Sequence, residues 1–137
     1  MNGSVTMNRA SRSATILLVE DEVLIAEMIA LALEDQGYRV HIATSAAEAL
    51  DHLVSGGALD ILFTDINLPG EMDGIGLAAR IREMLPDLPV IYASGRWSLL
   101  EKLQWLPRSA VLPKPYSVTR ACEAIARLLD PSAPLSA

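Results

Sequence analysis

The sequence holds one cysteine, Cys122, in 137 residues. A lone thiol closes no internal disulfide, and with His41 and His52 in separate segments it offers no zinc-ligand spacing. A reducing compartment fits best. Aromatics are as sparse: Phe63, Tyr38, Tyr92, Tyr116, Trp97 and Trp105 lie far apart along the chain, too few to line a base-stacking groove. Basic residues are outnumbered, 11 Lys and Arg against 17 Asp and Glu, for a formal charge of −6, so the positive footprint of a nucleic-acid-binding protein is missing. No apolar run approaches the roughly 18 residues of a membrane span. No apolar block follows Arg9 and Arg12 to make a signal peptide. These absences predict a cytoplasmic chain with neither nucleic acid nor membrane as a direct partner.

What is present is one domain's worth of core, 51 % hydrophobic residues against 20 % charged. Residues 1–14 and 131–137 are small, polar or Pro/Ser/Ala-rich without periodicity and read as tails, leaving residues 15–130 as the folded unit. Within it, Ile16-Leu17-Leu18-Val19 is a short apolar run of the kind buried on both faces of a sheet. A helix follows from Val23 to Gln36, with Leu24, Ile25, Met28, Ile29, Ala32 and Leu33 at helical spacing and Gly37 as its stop. Tyr38 to Ile42 alternates as a strand, and Ser45-Ala46-Ala47-Glu48 reads as a capping box before Ala46, Ala49, Leu50 and Leu53. The pattern then recurs: strands at Ile61 to Thr64, Val90 to Ala93 and Ala110 to Leu112, with helices at Ile75 to Leu85, Leu99 to Leu106 and Val118 to Leu129. Five alternating strand-helix units predict an α/β domain, a doubly wound parallel sheet of five strands covered by five helices.

In such a sheet ligands sit outside the carboxyl ends of the strands, and four of the five ends carry polar groups: Glu20 and Asp21, Asp65, Ser94, and Lys114. If the strand order is 2-1-3-4-5, the three carboxylates converge. Like charges that close call for a cation, and hard oxygen ligands suit Mg²⁺. Lys114 and the Ser94 hydroxyl would complete a socket for one anionic group. The chemical reading is that Asp65 attacks a phosphoryl donor, Mg²⁺ neutralises the transferring oxygens and Lys114 stabilises the aspartyl phosphate formed.

These residues, taken in order over residues 15–130, resemble a response-regulator receiver domain of bacterial two-component signalling. Glu20-Asp21 matches the family's acidic pair, Asp65 its phospho-accepting aspartate, and Asn67 the position whose backbone carbonyl is a metal ligand in the family. Pro69-Gly70 with Asp73-Gly74 matches the following loop, Ser94-Gly95 the switch hydroxyl and its small neighbour, and Lys114-Pro115 a lysine before a proline whose peptide bond is typically cis. The resemblance implies a flavodoxin-like fold, Mg²⁺ or Mn²⁺ as the cofactor, and a histidine kinase or histidine phosphotransfer protein as phosphodonor. It also implies a downstream protein partner, and a phosphoacceptor rather than a turnover enzyme. Because the chain ends seven residues after Asp130, a stand-alone regulator is expected, either a monomer or a phosphorylation-dependent dimer. One departure stands out: the position three before the lysine, often an aromatic switch, is Val111. Tyr92-Ala93-Ser94-Gly95 with Lys114-Pro115-Tyr116 resembles an atypical alphaproteobacterial subgroup lacking that aromatic. Gly95, Arg96, Trp97, Val111, Pro115 and Tyr116 are then the expected switch and partner face.

Other readings weigh less. Gly74-Ile75-Gly76-Leu77-Ala78-Ala79 fits a dinucleotide fingerprint formally, but it follows its strand only after a long loop and lacks an acidic ribose partner. Asn67 denies a phosphatase its second carboxylate. Trp105 and Cys122 read as packing residues, His41 and His52 as structural, and Trp97 as either an anchor or packing. Two rival functions remain, a phosphorylation-independent interaction module and a phosphate sink in a relay.

Overall fold

In the computed structural model, which describes residues 14–130, strands and helices alternate from end to end. The strands are β1 (Thr15–Val19), β2 (Arg39–Ala43), β3 (Ile61–Asp65), β4 (Val90–Ser94) and β5 (Ser109–Pro113). The helices are α1 (Val23–Asp35), α2 (Ala46–Val54), α3 (Gly74–Met84), α4 (Trp97–Leu103) and α5 (Val118–Leu129). All strand pairs are parallel, in the order β2-β1-β3-β4-β5. The expected topology is therefore the observed one. β3 and β4 are buried at every position because helices cover both faces, which is why they read as unbroken apolar runs.

Side chains alternate between two cores. Ile16, Leu18, Ile61, Phe63, Ile91 and Ala93 face α1 and α5, while Leu17, Val19, Leu62, Val90 and Tyr92 face α2, α3 and α4. Ser45 caps α2 by accepting from the Glu48 amide at 3.1 Å, and Glu48 Oε1 reaches back to the Thr44 amide at 2.7 Å, so the box closes one residue early. At the opposite pole from the strand ends, the Arg82 guanidinium donates to the carbonyls of Leu88, Pro107 and Arg108, pinning the last turn of α3 to the segments that lead into β4 and β5.

Three expectations are corrected: the buried face of α1, the bounds of α4 and the packing of Trp105. α1 buries Ala26, Ile29, Ala30 and Leu33, leaving Leu24 and Met28 in solvent at 76 % and 63 % exposure, because alanines let the helix lie close to the sheet. α4 begins two residues earlier than its apolar spacing suggested, at Trp97, and ends at Leu103. Trp105 then lies beyond the helix and is 80 % exposed, so it is not a packing residue. Cys122 is half-buried at the margin of the core.

Candidate functional site

The registers that align the strands also align their ends. Val19 pairs with Ala43 and with Thr64, Asp65 with Ala93, and Ser94 with Pro113. The next residue of each strand therefore emerges at one edge of the sheet. Glu20 is 1 % exposed and Asp65 5 %, whereas Asp21 faces solvent. Carboxylate oxygens of Glu20, Asp21 and Asp65 lie within 4.8 Å of one another. Lys114, positioned by its amide donating to Ser94 O at 2.8 Å, brings its Nζ to 2.9 Å from Asp65 Oδ1 and 3.8 Å from Glu20 Oε1.

Electrostatics follow from that crowding. Burial, reinforced by the Glu20 carboxylate beside it, pushes the Asp65 carboxyl up to about 7, against the pull of Lys114. Burial alone would lower the Lys114 ammonium, but the hydrogen bond and charge of Asp65, with Glu20 and Glu22 behind it, raise it. Glu20 Oε2 accepts from the Glu22 amide at 3.0 Å, while Oε1 is buried with no hydrogen-bond partner. A buried carboxylate oxygen without a hydrogen-bond donor, facing two further carboxylates, is a donor set that could hold a hard divalent cation.

The remaining expected residues fall in different places. Ser94 is buried, and its Oγ accepts from the Arg96 amide at 3.0 Å, tying the hydroxyl to the start of α4. Gly95, Arg96 and Trp97 are exposed beside it, and Asn67 is exposed in the loop after β3. Val111 and Tyr116 do not share a face. Val111 pairs with Tyr92 and packs on the core beneath α4. Tyr116 packs on the opposite core, its ring 5.9 Å from that of Phe63. Burial and the charges of Asp65 and Glu20 push its phenol well above its ordinary value. The Lys114–Pro115 peptide bond is cis. Pro115 and Tyr116 line a groove with Ile25 and Met28 of α1 that opens onto Glu20 and Lys114.

Sequence reasoning overlooked Thr64, whose hydroxyl donates to the Asp65 carbonyl at 2.8 Å. The mark it leaves in the sequence is a hydroxyl between the apolar run Ile61-Leu62-Phe63 and Asp65, and its burial emerges only from the structure.

Comparison with known proteins bears on what this edge does. Residues 16–126 match the family described as the response regulator receiver domain. Sensor kinase CckA of Brucella abortus is 37 % identical over 123 residues, covering 88 % of this chain and 13 % of that protein. The chain spans between 13 % and 53 % of the length of curated relatives it matches. A response regulator receiver protein from Sinorhizobium medicae superposes with a TM-score of 0.78 at 34 % identity, covering 86 % of this chain and 95 % of that one. TrrA of Thermotoga maritima, solved in complex with Mg(2+)-BeF, gives 0.73 at 28 % identity, covering 84 % and 98 %. Among the described residues no helix is long and apolar enough to cross a membrane.

Proposed function

The chain belongs to the response regulator receiver domain family, and from that membership we propose that Asp65 accepts a phosphoryl group from a histidine kinase or histidine phosphotransfer protein. The observation that carries the reading is the 2.9 Å contact between Lys114 Nζ and Asp65 Oδ1 inside the cluster of three carboxylates. An isolated buried acidic cluster is electrostatically unfavourable. A cluster with one ammonium and one orphaned oxygen is arranged for a visiting cation and anion together.

In the reaction, an Asp65 carboxylate oxygen forms a bond to phosphorus as the bond from phosphorus to the donor imidazole nitrogen breaks, the electron pair leaving with the imidazole. Mg²⁺, or Mn²⁺ in its place, held by Glu20, Asp21, Asp65 and the Asn67 carbonyl, would supply charge neutralisation on the phosphoryl oxygens. Lys114 would release Asp65 and pair with the new anion. The Ser94 hydroxyl keeps its acceptor role toward the Arg96 amide while donating to a phosphoryl oxygen, so movement of the hydroxyl draws the start of α4 with it. With Val111 in place of an aromatic, that link from Ser94 to Arg96 and Trp97 is the route by which phosphorylation alters affinity for a downstream protein.

Intact-mass spectrometry after incubation with acetyl phosphate and Mg²⁺ tests this. One hydroxylamine-labile phosphoryl adduct on the wild type and none on Asp65→Asn is expected. An unmodified wild type would overturn it and favour an interaction module indifferent to phosphate, and an adduct that survives in the variant would overturn it by placing the phosphoryl group on another residue.

A further inference from the structure

The main-chain carbonyl of Asp65 is held from two sides. Thr64, fully buried in β3, donates its hydroxyl hydrogen to that oxygen at 2.8 Å. Gly74, the first residue of α3, lies so close that a Cβ there would sit 1.9 Å from the same oxygen, 2.8 Å from the carbonyl carbon and 3.0 Å from Ile66 Cα. The Gly74 amide donates to Ile66 O at 2.8 Å, and the Ile66 amide donates to Ala93 O at 2.9 Å. The peptide unit that follows the Asp65 carboxylate is thereby bounded by β4, by its own preceding hydroxyl and by the foot of α3.

Neither residue is explained by its local element. Apart from Asp65 and Ser94, which end their strands at the site, the other buried positions of β1, β3 and β4 are apolar, and a buried valine would suit position 64 better than a hydroxyl. α3 is already capped by Asp73, whose Oδ1 accepts from the Gly76 amide at 2.8 Å, so capping does not call for glycine at 74. What both share is contact with one carbonyl.

Resting on the reading of Asp65 as phosphoacceptor, we propose that Thr64 and Gly74 are positioning residues. They fix the main chain from which the Asp65 side chain springs, and so its alignment with Lys114, Glu20 and Asp21 before any donor arrives. A shift of the nucleophile by a fraction of an ångström is what such a clamp prevents.

The test compares wild type, Thr64→Val, Gly74→Ala and Gly76→Ala. At residue 76 a Cβ would meet only Met72 Cγ at 3.1 Å and Asp73 Oδ1 at 3.5 Å, both on side chains. Three quantities are read: the initial rate of adduct formation from acetyl phosphate, the affinity for Mg²⁺ alone by calorimetry, and the urea midpoint. Thr64→Val is expected to keep or raise the midpoint while its rate and Mg²⁺ affinity fall about tenfold, Gly74→Ala to fall further, toward about 100-fold, and Gly76→Ala to match wild type. A Thr64→Val protein with wild-type rate and Mg²⁺ affinity would overturn the proposal, and it decides the matter if Gly74→Ala does not fold. Failure of the wild type itself to take an adduct would instead refute the phosphoacceptor reading, leaving the Mg²⁺ affinities to judge the clamp.

Discussion

Replacing Asp65 with asparagine should stabilise the metal-free protein, by an amount that grows with pH. The folded carboxyl titrates near 7 against 3.8 for an ordinary aspartate, so between about pH 4 and pH 7 the folded state binds more protons than the unfolded chain. Raising the pH through that window therefore costs the wild type stability, and the amide of Asp65→Asn, which never ionises, escapes the cost. At about 1.4 kcal/mol per unit, the shift sets an upper bound of about 4 kcal/mol. Water entry and the relaxation available to Lys114, a third exposed and still 3.8 Å from Glu20, reduce the expected gap to about 2 kcal/mol at pH 8. Urea unfolding followed by circular dichroism in chelator-treated buffer, at intervals from about pH 4.5 to pH 8.5, measures it. Wild type and variant should converge at the acid end and diverge toward the alkaline end, and added Mg²⁺ should stabilise the wild type more than the variant, which has lost one of the three carboxylates. A gap that is constant with pH, or that widens as pH falls, would refute the electrostatic reasoning.

Three further outcomes follow from the same contacts. Lys114→Ala should still bind Mg²⁺ but take up phosphoryl groups from acetyl phosphate about 100-fold more slowly, since it loses the ammonium aimed at the Asp65 carboxylate. Arg82→Ala leaves the carbonyls of Leu88, Pro107 and Arg108 without their shared donor and should lower stability to urea by about 2 kcal/mol, with no change in the rate of phosphoryl uptake. Trp105→Ser, at an 80 % exposed position, should alter stability by less than about 0.5 kcal/mol, whereas a packing role would make thermal unfolding fall sharply.

The strands and the acidic cluster were legible because both are written as contrasts. Apolar runs such as Ile61-Leu62-Phe63 end abruptly in charge, and parallel pairing carries every such end to one edge. Helix faces were less legible where contrast was missing. α1 has apolar side chains around most of its circumference, so periodicity could not tell Leu24 and Met28, which face solvent, from Ala26 and Ala30, which face the sheet. The start of α4 was missed because its cap position, Arg96, has no side-chain capping bond and so leaves no cap signature. Thr64 and Gly74 carry no chemistry of their own. Their importance lies in distances to one carbonyl, which no spacing along the chain expresses. The division of Val111 and Tyr116 between opposite cores is likewise hidden in a list of family positions, because Val111 lies within β5 whereas Tyr116 lies beyond the strand, in the segment that leads into α5.

The most direct test is to locate the modification. Protein treated with acetyl phosphate and Mg²⁺, reduced with borohydride to convert an acyl phosphate to an alcohol, then digested and sequenced by tandem mass spectrometry, should carry homoserine at position 65 and at no other acidic residue. Conversion at Asp21 or Glu20 with Asp65 intact would contradict the assignment of Asp65 as the phosphoacceptor.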